Sequence, residues 1–214
     1  FINQYAHSQT YSATDSVTVP FTDSYTNSTR GFRFSPDTTI LVRQLGKMIP
    51  NALGNYTWTI WDVDNTTIVH QQTSTANTGG VYTYEPISTP IILAKGGNYA
   101  IALHCDGTPG AQFYYGFNSQ VNTYLTYNAV IMCNNCPANV YPNQSFVGFH
   151  MGLPDFHFCI PSTGIDTQVA CDAYTWIDGN TYTASNSTAT HTLTNSLGCD
   201  SIVTLNLTIN NSST

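Results

Sequence analysis

Six cysteines offer this chain its widest choice of chemistry: Cys105, Cys133, Cys136, Cys159, Cys171 and Cys199. A Cys-x-x-Cys pair such as Cys133 and Cys136 can hold zinc with two further thiolates, here Cys105 and Cys159. A second Cys-x-x-Cys pair is missing, however. An even cysteine count with few charged residues fits disulfides in an oxidising, extracellular compartment better. Those four residues allow three pairings. We expect Cys133–Cys136 to close the Asn134-Asn135 loop and Cys105 to bond Cys159. A Cys171–Cys199 bridge would staple the C-terminal region. A thioredoxin-type redox pair opens a helix, and Pro137-Ala138-Asn139-Val140-Tyr141-Pro142 does not promise one.

The histidines are His7, His70, His104, His150, His157 and His191. Asp155, His157 and Cys159 share a strand face by period two. They could hold a metal, but strand histidines more often serve as hydrogen-bonding groups, so no metal is expected. Asp62-Val63-Asp64-Asn65 resembles the start of an oxygen-ligand calcium loop without its glycine or its distal glutamate, which leaves a hairpin turn. Glu85 is the sole glutamate, and many aspartates sit in turn contexts such as Asp106-Gly107 and Asp178-Gly179. A glycosidase needs two facing carboxylates. Neither a Gly-x-Ser-x-Gly, a phosphate loop nor a His-Glu-x-x-His is present. The expectation is therefore no enzyme and no cofactor.

Aromatic residues are the remaining candidates. In Phe113-Tyr114-Tyr115-Gly116-Phe117, alternation sends Phe113, Tyr115 and Phe117 to one face, read as core, and Tyr114 to the other. Tyr combines an apolar face with a polar tip, which suits sugars and protein partners. Tyr114, Tyr124 and Tyr127 are the candidate carbohydrate-binding residues. Trp61 joins them, because Tyr56, Trp58 and Ile60 alternate with Thr57, Thr59 and Trp61. Trp61 is then either under a loop or at a binding surface.

The elements that carry these residues read as strands throughout. Runs at Ser16–Phe21, Gly31–Ser35, Thr39–Lys47, Tyr56–Val63, Thr67–Thr73, Val81–Tyr84, Ile91–Leu93 and Asn98–His104 are separated by Gly, Pro, Asn or Asp. Further runs follow at Gln112–Phe117, Ala129–Cys133, Phe146–Met151 and Asp155–Ile160. Short strands at regular spacing indicate a sandwich or jelly roll. No sustained helical period occurs. The texture changes near Pro161-Ser162-Thr163-Gly164, which divides a β-sandwich at 1–161 from a small β module at 162–214. In that module Asp178-Gly179 signals a type I′ hairpin. Strands are expected at Thr181–Ala184, Thr188–Thr194 and Cys199–Ile209.

Charge excludes several classes. Only 8% of the 214 residues are charged, with 5 basic residues against 12 acidic and a net charge of −7. No Lys or Arg follows Lys95. Nucleic-acid binding needs Lys and Arg along a contact face, and anionic membranes need them too. No apolar run is long enough to span a bilayer. No basic n-region followed by an apolar h-region stands at Phe1, so the expectation is that the numbering starts at a mature or processed N-terminus.

Two resemblances rest on these residues. The run Cys171-Asp172-Ala173-Tyr174-Thr175-Trp176-Ile177-Asp178-Gly179-Asn180-Thr181-Tyr182, closing with Gly198-Cys199-Asp200-Ser201, resembles a small β repeat of secreted Bacteroidota-type surface proteins. That repeat often stands in tandem near the C-termini of adhesin-like proteins. The match covers about Asp166 to Asn210, as a single copy. Gly31-Phe32-Arg33-Phe34-Ser35-Pro36, Trp58-Thr59-Ile60-Trp61-Asp62 and Gly96-Gly97-Asn98-Tyr99-Ala100 are similar to a β-sandwich module of extracellular multidomain proteins. Neither resemblance implies an active site.

The expected fold is all-β, a jelly-roll-like β-sandwich followed by a small Ig-like β module. The expected function is an extracellular structural or adhesive surface protein. It would self-associate into a filament or fibre by strand addition, with Phe1–Ser12 or the last strand docking on a neighbour. The alternative is a carbohydrate-binding module whose partners are surface glycans.

Overall fold

β-Branched and aromatic residues between turn residues give this chain an all-β structure. The computed structural model describes residues 10–17, 21–23, 27–116, 119–147, 150–151, 153–194 and 199–212, and no helix occurs among them. The chain divides into two compact units, one of Tyr11–Cys159 and one that groups Phe1–Thr10 with Ile160–Thr214.

The larger unit is a jelly-roll-like sandwich. Its first strands are β1 (Thr10–Ser12), β2 (Thr14–Val17), β3 (Phe21–Asp23), β4 (Ser28–Pro36) and β5 (Ile40–Met48). Next come β6 (Tyr56–Asp62), β7 (Thr67–Thr73), β8 (Tyr82–Leu93), β9 (Tyr99–Cys105) and β10 (Phe113–Gly116). The last are β11 (Ser119–Val121), β12 (Leu125–Asn134), β13 (Gln144–Phe146), β14 (His150–Met151) and β15 (Pro154–Cys159). One sheet runs β13-β12-β4-β9-β6-β7 and another β1-β15-β5-β8, with small sheets β14-β10-β3 and β11-β2.

Alternation fills the space between the large sheets. Phe32, Phe34, Tyr56, Trp58 and Ile60 are buried, as are Val42, Leu45, Phe156 and Phe158. Phe34 and Phe156 bring their rings within 5.1 Å. Trp58 donates its indole N–H to the Gly46 carbonyl at 2.7 Å. A buried Lys47 ammonium lies 4.7 Å from the Trp58 ring. It donates to Ser74 Oγ and, at 2.7 Å, to the Ala76 carbonyl, and it stands 3.6 Å from Glu85. Those partners offset the desolvation of a buried charge.

Two sequence runs differ from expectation here. Val81–Tyr84 and Ile91–Leu93 belong to one strand, β8, interrupted by a register shift opposite Arg43. The outer face of the six-stranded sheet is also covered, with Trp61 packed on Ala100, Ala102, Ile131, Val63 and Tyr141.

The smaller unit contains β16 (Ser162–Cys171), β17 (Tyr174–Thr175), β18 (Thr181–Tyr182), β19 (Thr190–Thr194) and β20 (Asp200–Asn210). Its sheet is ordered β16-β20-β19, with β16 parallel to β20 and β19 antiparallel to it. Trp176, Val203, Leu205 and Leu207 form its core, flanked by Tyr174, Tyr182, Leu193 and Ile209. Asp166 accepts the Trp176 indole N–H at 2.7 Å and so fixes the ring against β16.

Four expectations are corrected, three of them in this unit. Ser162–Cys171 forms a strand, β16, that the sequence runs did not include. The Asp178-Gly179 turn is not type I′, which needs two positive φ angles. Only Gly179 has one, at +83°, with Gly179 N–H bonded to the Trp176 carbonyl at 3.0 Å. The last strand, β20, lies between two partners, so its backbone is not available to a neighbour. Of the other expected docking segment, Phe1–Ser12, residues 1–9 lie outside the described residues and Thr10–Ser12 form β1, beside β15 in the larger unit's sheet.

The fourth correction concerns the cysteines. Cys133 and Cys136 are bonded, but Cys105 and Cys171 are free thiols, so neither Cys105–Cys159 nor Cys171–Cys199 forms. The parallel register explains the second case. Cys171 lies opposite Asn210 at the far end of β20, whereas Cys199 stands just before that strand begins. At roughly 3.3 Å per residue they are about 35 Å apart, far beyond the span of a disulfide. Cys105 is buried beside Tyr56 and Ala111, and burial pushes its thiol up to about 11. Cys159 and Cys199 are both disulfide-bonded.

Candidate interaction surface

Every open sheet exposes a row of backbone donors and acceptors at its edges, and natural proteins guard such edges with Pro, Lys or short length. The large sheets end on β13, β7, β1 and β8. β1 and β13 are three residues each. β8 is long but carries Pro86 and Pro90, which lack a backbone N–H. β7, with Thr67, Ile68, Val69, His70, Gln71, Gln72 and Thr73, has neither Pro nor Lys. In the small unit, β16 is, among the described residues, a ten-residue edge strand, also without Pro, Lys or Arg.

The polarity of β16 is inverted relative to an ordinary half-buried strand. Its inward row is Ser162, Gly164, Asp166, Gln168 and Ala170, and its outward row is Thr163, Ile165, Thr167, Val169 and Cys171. Ile165 is 74% exposed and Val169 67%. The inward polar groups have partners: Gln168 donates to Asp166 at 2.6 Å, and Asp166 also holds Trp176. Ile202 of β20 adds to the outward apolar surface beside Thr163.

The candidate carbohydrate residues are placed differently. Trp61 is 3% exposed and packs edge-on against Tyr141 at 5.6 Å, which resolves its two readings in favour of the loop. Thr59 and Gln71 both donate to the Ala138 carbonyl and tie that loop down. Tyr124 meets Tyr11 edge-on at 4.9 Å. Tyr127 leans on Phe32 at 6.2 Å, and burial pushes its hydroxyl up to about 12. Tyr114 lies opposite Thr22 in the β10–β3 pair. All three tyrosines are half-buried. Phe113 is core as read, while Phe117 and the Tyr115 side chain fall outside the described residues.

One buried cluster of titratable groups has no local signature in the sequence. Asp155 accepts from the Tyr84 hydroxyl at 2.5 Å and from Ser12. The Tyr84 ring stacks on His157 at 3.8 Å, and His157 Nδ1 lies 2.7 Å from Gln44 Oε1. Burial pushes the Asp155 carboxyl above the usual carboxylate range and the His157 imidazole below its own. Gly46 makes the arrangement accessible: its residue lies opposite both Asp155 and Tyr84, and the phenol ring crosses where a Cβ would stand. The cluster joins β1, β15, β5 and β8 through side chains. Asp155 and His157 share a face as expected. Among the described residues, no group of three His, Cys, Asp or Glu side chains is arranged to hold a metal. His7 and the side chain of His150 lie outside the described residues. Asp62 accepts from Asn65 N–H at 3.1 Å and from its amide at 2.8 Å, which closes the β6–β7 turn internally.

No family model matches the chain, and no curated protein does. Among solved structures it is similar to T=1 particles derived from infectious bursal virus, at 14% identity and TM-score 0.28, over 72% of this chain and 40% of that one. It is also similar to the T13 viral particle of that virus, at 13% identity and TM-score 0.30, over 72% and 39%. A subviral particle of infectious bursal disease virus VP2 gives 12% identity and TM-score 0.28, over 72% and 42%. The chain thus spans about two-fifths of the length of these proteins. Likeness at this level carries no argument about function.

Proposed function

We propose that this chain is an extracellular structural or adhesive subunit that self-associates through open strand edges. The observation that carries the reading is β16: among the described residues, a ten-residue edge strand without proline or lysine, with Ile165 and Val169 turned to solvent. Strand addition supplies main-chain hydrogen bonds, and the outward side chains supply apolar contact. A second unguarded edge, β7, lies in the other unit. Two different edges are what a polymer needs, since one self-complementary contact closes into a dimer and a second lets it extend. Bonding of Cys133 to Cys136 fits an oxidising compartment. The resemblance of the stretch from about Asp166 to Asn210 to an adhesin-type repeat supports the same setting.

Sedimentation velocity over a wide concentration range, with negative-stain microscopy of the same samples, tests this. The mass is expected to rise above the 23.4 kDa of one chain, with end-to-end particles at high concentration. One species of 23.4 kDa throughout would overturn the proposal.

A further inference from the structure

We infer that the partner of β16 is β16 of a second copy, paired antiparallel about a twofold axis through Thr167. The inference rests on the self-association reading and assigns its contact.

The strand is a palindrome of residue classes. Counting outward from Thr167, Asp166 is matched by Gln168, Ile165 by Val169, Gly164 by Ala170 and Thr163 by Cys171. An antiparallel pair centred on Thr167 sets each residue opposite its match in the second copy. On the outward face, Ile165 meets the second copy's Val169 at two equivalent places, with the two Thr167 residues between them. β-Branched cross-strand pairs of this kind stabilise antiparallel sheets. On the inward face, each Asp166 meets a Gln168 amide rather than another carboxylate. Gly164 meets Ala170, so no bulk collides under the strand.

Other registers fit less well. An axis through Asp166 sets two carboxylates face to face, which is destabilising. An axis through Gln168 sets Ile165 against Cys171 and separates the apolar pairs. A twofold contact must be self-complementary, and the Thr167 register satisfies that on both faces. The product is a continuous six-stranded sheet, β19-β20-β16 followed by the same strands of the second copy in reverse. Each chain carries a net charge of −7, so salt should strengthen the contact by screening repulsion between copies. A basic partner would show the opposite dependence.

Cys171 supplies a built-in probe, because its thiol is free and exposed. In the proposed pair it faces Thr163 of the other copy. Opposed Cα atoms in an antiparallel pair lie about 4.5 or 5.5 Å apart, within disulfide range. Within one chain, Thr163 and Cys171 are separated by the length of the strand. Under mild oxidation, Thr163→Cys should give a covalent dimer whose peptide map joins residue 163 of one chain to residue 171 of another. Thr167→Cys combined with Cys171→Ser should link residue 167 to itself. Thr192→Cys, on exposed β19, should not link. Ile165→Lys with Val169→Lys should abolish association of the full chain. If wild type associates while neither cross-link forms and the double lysine variant still associates, the β16 pairing is wrong and another edge is responsible. If wild type never associates, the self-association reading fails with it.

Discussion

Gly31→Ala is expected to destabilise the sandwich by about 3 kcal/mol, the upper end of the overpacking range. Gly31 lies mid-strand in β4, opposite Ala102 of β9 on one side and Ile131 of β12 on the other. A Cβ there would stand 2.6 Å from the Ala102 Cα and closer still to the Ile101 carbonyl oxygen. Both are backbone atoms, so neither can swing aside. The two central strands must separate, and the small-residue bed beneath Trp61, built from Ala100 and Ala102, goes with them. For a chain of this size a loss of that magnitude lowers Tm by roughly 6–12 °C. Thermal unfolding followed by near-ultraviolet circular dichroism checks it, and an unchanged Tm would show that β4 and β9 do not approach this closely.

Asp155→Ala carries the second large effect, about 2–4 kcal/mol, because it leaves the Ser12 and Tyr84 hydroxyls inside the protein without their acceptor. Asp155→Asn keeps an acceptor and should cost much less. It should also alter the pH dependence in a defined sense. Burial raises the Asp155 pKa in the folded state. A group raised on folding contributes fully below its unfolded pKa, about 4, and loses that contribution as pH rises through the folded value. Wild type should therefore lose stability relative to Asp155→Asn as the pH climbs above about 4. Urea unfolding of both proteins across pH 3–8 measures the difference. Parallel curves would mean that Asp155 is not desolvated as described. Gly46→Ala, whose Cβ would stand 2.6 Å from Tyr84 Cδ1, should reproduce much of the Asp155→Ala defect by displacing the phenol.

Strand positions were legible where local signals are strong. Thr67–Thr73 and Tyr56–Asp62 follow directly from alternation bounded by Asp-Asn turn residues. The Cys133–Cys136 bond was legible in its close spacing, but the other cysteines were not, because Cys171 and Cys199 bracket what looks like a closed loop. A parallel register, invisible to local pattern, holds them at opposite ends of β20. β16 was missed for a related reason. Its apolar residues point outward and its inward row is polar, so it does not read as a half-buried strand until Trp176 and β20 are in place. Trp61 alternates onto the face expected to be polar, and only the loop around Ala138 and Tyr141, distant in sequence, shows why that face is dry. The Asp155 cluster draws on Ser12, Gln44 and Tyr84, from three other strands. No window of sequence contains it.

The low charge of the chain gains a more specific meaning here. It leaves strand edges without the lysines that usually keep them apart, at β7 and β16 above all. Backbone hydrogen exchange, read peptide by peptide from dilute to concentrated protein, tests this most directly. The account predicts that amides within residues 163–171 become protected as concentration rises, while those of the proline-guarded strand Tyr82–Leu93 do not change. Equal exchange of 163–171 at every concentration, in samples whose mass has risen, would contradict it.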